Sequence, residues 1–102
     1  MPTSTTIRTV SDISDAVVLS REHGGVVVSE SNLNPAFFDL KSGFAGELLQ
    51  KFVNYNARLA IILADPNSYG ERFVELAREH RTHSWVRFFG TEPEALSWLA
   101  AK

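Results

Sequence analysis

Cysteine is absent from the chain, so neither a disulfide framework nor a Cys-ligated zinc or iron–sulfur site can be built from it. That usage fits a reducing compartment. Long apolar runs are missing too: the stretch from Leu59 to Ala64 falls far short of the roughly 20 residues a membrane-spanning helix needs. Positive charge is not in excess. Lys and Arg number 10 against 12 Asp and Glu, with a net charge of -2 and a pI near 5.9. This balance argues against a surface that neutralises phosphates, and hence against nucleic acid as a partner. The opening residues Met1 to Thr6 lack the basic start and apolar core of a secretion signal, so the expectation is a cytoplasmic protein without membrane contact. No glycine-rich phosphate loop, Gly-x-Ser-x-Gly elbow or dinucleotide fingerprint occurs, which removes the commonest nucleotide and hydrolase classes. No cofactor is predicted.

What is present suits one domain. The 102 residues are 44% hydrophobic and 22% charged, ordinary globular usage with enough apolar material for a single core. No internal repeat, low-complexity segment or linker interrupts the chain.

The hydrophobic pattern alternates between two periods. After a tail over residues 1–5, Thr5 to Val10 alternates polar and β-branched residues and predicts a short edge strand. Ser11 or Asp12 then caps a helix carrying Ile13, Ala16 and Val17, and Gly24 ends it. Gly25 to Ser29 holds three consecutive valines, the mark of a central strand covered on both faces. Asn34-Pro35 starts a short helical turn that brings Phe37 and Phe38 to the core. The main helix runs from Gly43 to about Asn56 with an apolar stripe of Phe44, Ala45, Leu48, Leu49, Phe52 and Val53. Arg58 to Ala64 is a second buried strand, followed by the turn residues Asp65-Pro66-Asn67. A capping box, Ser68 with Glu71, opens a helix to His80, and Ser84 to Phe89 is the next strand. A second box, Thr91 with Glu94, opens the last helix, with Ala95, Trp98 and Leu99 inward. Strand and helix therefore alternate four times, which predicts a single α/β domain with a mostly parallel four-stranded sheet.

One helix carries the candidate site. Glu47, Gln50, Lys51 and Asn54 fall at i, i+3, i+4 and i+7, so they share a face of the main helix. Asp39, Lys41, Ser42 and Gly43 lie at its start, where free backbone N–H groups and the positive end of the dipole can hold an anion. An interior helical glycine costs about 1 kcal/mol relative to alanine, so Gly46 predicts a close approach by a ligand, a partner helix or the Phe37-Phe38 turn. Glu47 and Lys51 form a favourable i,i+4 pair, whereas Gln50 and Asn54 have no such explanation. Tyr55, at the helix end, offers a hydroxyl to the site or packs its ring and leaves the oxygen in water. His80 and His83 straddle a helix end without a clear third ligand, so they predict two solvent-facing side chains and no metal site. His23 carries no signal, and Trp85 and Trp98 read as core or interface anchors.

The block Phe37-Phe38-Asp39-Leu40-Lys41-Ser42-Gly43-x-Ala45-Gly46-Glu47-x-x-Gln50-Lys51-Phe52-x-Asn54-Tyr55, followed by Arg58-Leu59-Ala60-Ile61, resembles a bacterial family of unknown function, the domain-of-unknown-function family numbered 4180. The likeness runs from about Asp15 to the C-terminus and includes the Glu94-Ala95-Leu96 helix. It implies an α/β fold and a hot region in the quoted block, with no established biochemical role. Family members tend to carry an additional strand or hairpin before the first helix. The shorter start here leaves a sheet edge open and predicts a homodimer through that edge or a neighbouring helix. A more distant likeness is to the STAS or SpoIIAA-like fold of anti-sigma-factor antagonists, whose element order matches from Val26 onward. In those switch proteins the phosphorylated serine lies two residues before the glycine. Lys41 holds that place here and Ser42 matches only the residue after it.

Two functional expectations follow. The first is a regulatory binding module that presents Asp39, Lys41, Ser42, Gly43, Gly46, Glu47, Gln50, Lys51, Asn54 and Tyr55 to a protein partner or a small anionic ligand. The alternative is a small enzyme or biosynthetic accessory protein with Asp39, Lys41 and Glu47 as acid–base groups. An enclosed pocket with buried carboxylates favours catalysis, and an exposed face favours a partner.

Overall fold

Residues 3–80 and 82–101 are described by a computed structural model. Along them four strands alternate with four helices: β1 (Thr3–Ser4), α1 (Val10–His23), β2 (Val26–Ser29), α2 (Phe44–Asn54), β3 (Leu59–Ile62), α3 (Glu71–Glu79), β4 (Val86–Phe89) and α4 (Glu92–Ala101). All pair in parallel in the order β1-β2-β3-β4, with Val26 opposite Leu59 and Leu59 opposite Val86. Among the described residues, no helix is long and apolar enough to cross a membrane.

The strand order dictates the layers. Each crossover steps one strand further in the same direction, and right-handed crossovers then place α1, α2 and α3 on one face of the sheet. The core follows that rule. Val26, Val28, Leu59, Ile61 and Val86 meet Ile13, Ala16, Val17, Leu48, Phe52 and Phe73 from the three helices. The alternate strand residues Val27 and Ala60 point to the other face and meet Ala95 and Leu99 of α4. Continuous valine and isoleucine runs in β2 and β3 thus reflect cover on both sides.

Phe37, Phe52 and Phe73 are fully buried in the larger layer, and each such side chain contributes about 2–3 kcal/mol by burial alone. The α4 layer is thinner. It relies on Ala95, Leu99 and the half-buried Trp98, with Leu99 lying directly over Gly25. A Cβ on Gly25 would stand 2.5 Å from the Leu99 Cδ2, and its φ of 134° is one that L side chains rarely adopt. The glycine is therefore what lets α4 approach β2.

Local caps explain the element ends, and several differ from the sequence expectation. Gly24 ends α1 in the left-handed conformation, as predicted, with φ of 77°. The start of α1 is a correction. Thr9, not Ser11 or Asp12, is the N-cap: its hydroxyl accepts from the Asp12 N–H, and the Asp12 carboxylate accepts from the Thr9 and Arg8 N–H groups. These hydrogen bonds hold the Asp12 carboxyl below its ordinary pKa, the Arg8 N–H first among them. The strand expected over Thr5 to Val10 is accordingly absent. Only Ile7 makes a bridge there, to Leu33, while Thr3 and Ser4, assigned by the sequence to the tail, pair with Val26 and Val27. Met1 and Pro2 lie outside the described residues.

The Ser68–Glu71 capping box does not form either. Asp65 takes the capping role, accepting from the Asn67 N–H at 3.0 Å and opening a 3-10 turn over Pro66–Tyr69. Helix α3 then starts at Glu71 behind Gly70 with no side-chain cap. At α4 the Thr91 hydroxyl donates to the Glu94 carboxylate at 3.0 Å.

Candidate functional site

The connection from β2 to α2 runs through three 3-10 turns, Glu30–Asn32, Pro35–Phe38 and Leu40–Ser42. Asn34 caps the second as the sequence predicts: its side-chain oxygen accepts from the Ala36 N–H at 2.9 Å, and its amide donates to the Arg8 carbonyl at 2.6 Å. Asp39 caps the third, accepting from the Lys41 N–H at 3.1 Å. The Ser42 hydroxyl donates to the Ala36 carbonyl at 2.6 Å and accepts from the Phe44 N–H at 3.2 Å. Gly43, with φ of 82°, supplies the left-handed step into α2. At the α2 start the Phe44 N–H is thus already engaged by the protein's own chain, while Asn34 and Asp39 engage N–H groups of the preceding turns.

Helix α2 has 11 residues, about 16 Å at 1.5 Å per residue. The ten predicted site residues therefore form a strip rather than one pocket. Asp39, Lys41, Ser42 and Gly43 lie beside the carboxyl ends of the strands. Asn54 and Tyr55 lie at the opposite end of α2, where Arg21 donates to the Tyr55 carbonyl. Gly46, Glu47 and Gln50 between these ends are exposed, as is Asn54, and Lys51 is half-buried. Val53, placed in the buried stripe by its spacing, is 37% exposed and belongs to this outer surface, as does Tyr55 at 52%.

Gly46 behaves differently from the expectation of an internal contact. A Cβ built on it meets nothing within 4 Å. The Phe37-Phe38 turn packs elsewhere: Phe37 is buried, and the Phe38 ring stacks on Tyr69 with centroids 3.9 Å apart. None of the described residues requires a glycine at position 46.

Lys41 and Asp39 do line a cleft of about 520 Å³, with Phe38 and Tyr69 as its aromatic wall and Glu71 and Arg72 opposite. Its four charged side chains, Asp39, Lys41, Glu71 and Arg72, are all exposed. Glu47 is exposed as well. The acid–base reading of Asp39, Lys41 and Glu47 looks for carboxylates in an enclosed pocket, and these three side chains are exposed. A second cleft, of about 320 Å³, opens outside the carboxyl ends of β3 and β4 between Asn67, Arg78 and Gly90, and holds none of the predicted residues.

Tyr69 and Glu30 are participants that sequence reasoning passed over. The Tyr69 hydroxyl donates to Glu30 Oε2, and the other carboxylate oxygen accepts from the Ala64 N–H at 3.3 Å. The Glu30 hydrogen bond, helped by burial, pushes the Tyr69 hydroxyl up to about 12, so it stays protonated and acts as a donor that ties β2 to the turn after β3. A carboxylate directly after a buried parallel strand was the available signal.

His80 and His83 are also corrected. They are half-buried and stacked, with ring centroids 4.8 Å apart. His83 Nδ1 accepts from the Trp85 and Val86 N–H groups at 3.0 and 3.2 Å. Burial, then the neighbouring His80 and Arg87, lowers the His83 pKa. The pair organises the entry to β4.

Comparison with curated proteins and with solved structures returns no match. Over residues 1–99 the sequence matches the family model described as Domain of unknown function (DUF4180), and the chain belongs to that family.

Proposed function

We propose that this domain is a regulatory binding module whose working surface is the outer face of α2, and that its occupant is a protein partner. One observation carries the reading: Gly46, the third residue of α2, sits in its first turn with open space over it. Glycine in a helix interior costs about 1 kcal/mol relative to alanine, a first-turn glycine no more than that, and no contact among the described residues offsets it. A partner backbone lying close over that position would. The surroundings suit such a contact. Glu47, Gln50 and Asn54 offer an exposed carboxylate and two exposed carboxamides, and Val53 and Tyr55 add apolar area beside them. The exposure of Asp39, Lys41 and Glu47 favours recognition over acid–base chemistry.

A photo-crosslinking side chain at position 50, expressed in the cells that make the protein, tests this. The expected result is a defined adduct from position 50 and none from position 14, an exposed site on α1. Equal labelling from both positions, or none from position 50, contradicts it.

A further inference from the structure

At the end of the sheet opposite the α2 start, a separate cleft of about 340 Å³ lies between the last turn of α1, the loop after α2 and the beginnings of β3 and β4. Arg21, Asn56, Arg58 and Trp85 line it, and no Asp or Glu does. Part of this polarity has a structural cause. Helices α1, α2 and α3 carry acidic residues in the first turn and basic ones in the last, complementing their dipoles. Helix α4 has no basic residue in its last turn, and Arg58 replaces it from outside, donating to the Trp98 and Leu99 carbonyls at 2.8 and 3.1 Å.

Helix capping does not account for the whole arrangement. Arg21, on the Tyr55 carbonyl at the α2 C-cap, and Arg58, on α4, both bond to helix-end carbonyls, which carry only a partial negative charge. Arg87 brings a third guanidinium close by. It stands 4.9 Å from the Trp98 ring centroid, and Arg58 stands 4.6 Å from the same centroid. Burial and the like charge of Arg87 both work against the Arg58 cation, and no Asp or Glu among the described residues counters them. A guanidinium partly removed from water beside like charge gains from a nearby anion. The cleft also exceeds what a cap needs, since its volume lies at the lower end of small-molecule sites.

We infer that this cleft binds a small organic oxyanion, with its carboxylate or phosphate between Arg21 and Arg58 and a flat apolar remainder against Trp85. Arg21 is exposed and supplies a planar fork of donors suited to such a group. Arg58 contributes charge while it holds α4. Asn56, held at a φ of 51° at the rim, presents an amide to the ligand's polar substituents. The site is distinct from the outer face of α2, so its presence or absence leaves the reading of that face unchanged.

The test is a titration of the whole chain, followed by amide and indole NMR shifts, with inorganic phosphate, phenyl phosphate and benzoate at fixed ionic strength. Saturable shifts clustered at Gly24, Asn56 and Trp85 are expected with either aromatic anion. Binding should be about tenfold weaker for inorganic phosphate and about tenfold weaker in Arg21→Gln. Phenyl phosphate outcompeting benzoate assigns the group as phosphate, and the reverse order assigns it as carboxylate. Arg21→Lys keeps the charge without the fork and should bind between wild type and Arg21→Gln. Shifts that never saturate, that scatter over the surface, or that persist unchanged in both variants overturn the inference.

Discussion

Replacing Gly46 by alanine should stabilise the free domain by no more than about 1 kcal/mol, the figure for a helix interior, a rise of at most roughly 5 °C in its melting temperature. The reason is local: the added methyl enters open space and the helix loses an unfavourable residue. A fall in melting temperature would reveal an internal contact at that position. His83 makes a second, pH-dependent prediction. Its folded pKa lies below the ordinary value of 6.5 because burial disfavours the cation. The unfolded chain therefore takes up the proton first as pH falls. Its stabilising contribution is complete above pH 6.5 and declines as the pH drops from there toward the lowered folded value. Thermal melts between neutral and mildly acidic pH should show this decline in the wild type and a flatter profile in His83→Asn. An equal slope in both would remove His83 as its source. At this scale the sequence revealed what depends on neighbours along the chain. Gly24 and Asn34 were readable because their roles need only adjacent residues. The His80–His83 stack and the Tyr69–Glu30 pair were not, because folding creates them from separated segments.

Among the elements, α4 depends most on help from elsewhere. It covers its face of the sheet with few apolar residues, and its final carbonyls are bonded by Arg58, which precedes β3. Arg58→Gln should cost about 2 kcal/mol, since hydrogen bonds to charged groups contribute about 1.5–3 kcal/mol and the cation–π contact with Trp98 is lost as well. Urea unfolding checks the figure. No measurable loss would mean that α4 is held by burial alone. The valine and isoleucine runs made β2 and β3 legible, since strands covered on both faces have no polar side. Element starts were harder. Thr5 to Val10 fits a strand by alternation, yet Thr9 and Asp12 bond each other's backbone and begin α1. The local pattern supports both outcomes, and hydrogen bonding decides between them. Likewise Asp65, one residue before Pro66, displaced Ser68 as the cap ahead of α3.

For the whole molecule, a parallel sheet in simple sequential order puts three helices on one side and leaves the other to α4. The alternation of elements made that architecture readable before any coordinates, because parallel neighbours require crossovers. It did not show that the candidate strip spans the full length of α2, with its start beside the carboxyl ends of the strands and its end beside their amino ends. Nor did it show which arginines converge at the far edge, where Arg21 and Arg58 come from different layers. The central claim concerns the surface that this architecture leaves uncovered on α2. Its most direct test compares capture of partners from the native cell lysate by the wild-type domain and by a Glu47→Ala, Gln50→Ala variant, with circular dichroism confirming matched folds. The account predicts a discrete protein retained by the wild type and lost from the variant. Retention of that same protein in equal amount by both would contradict it.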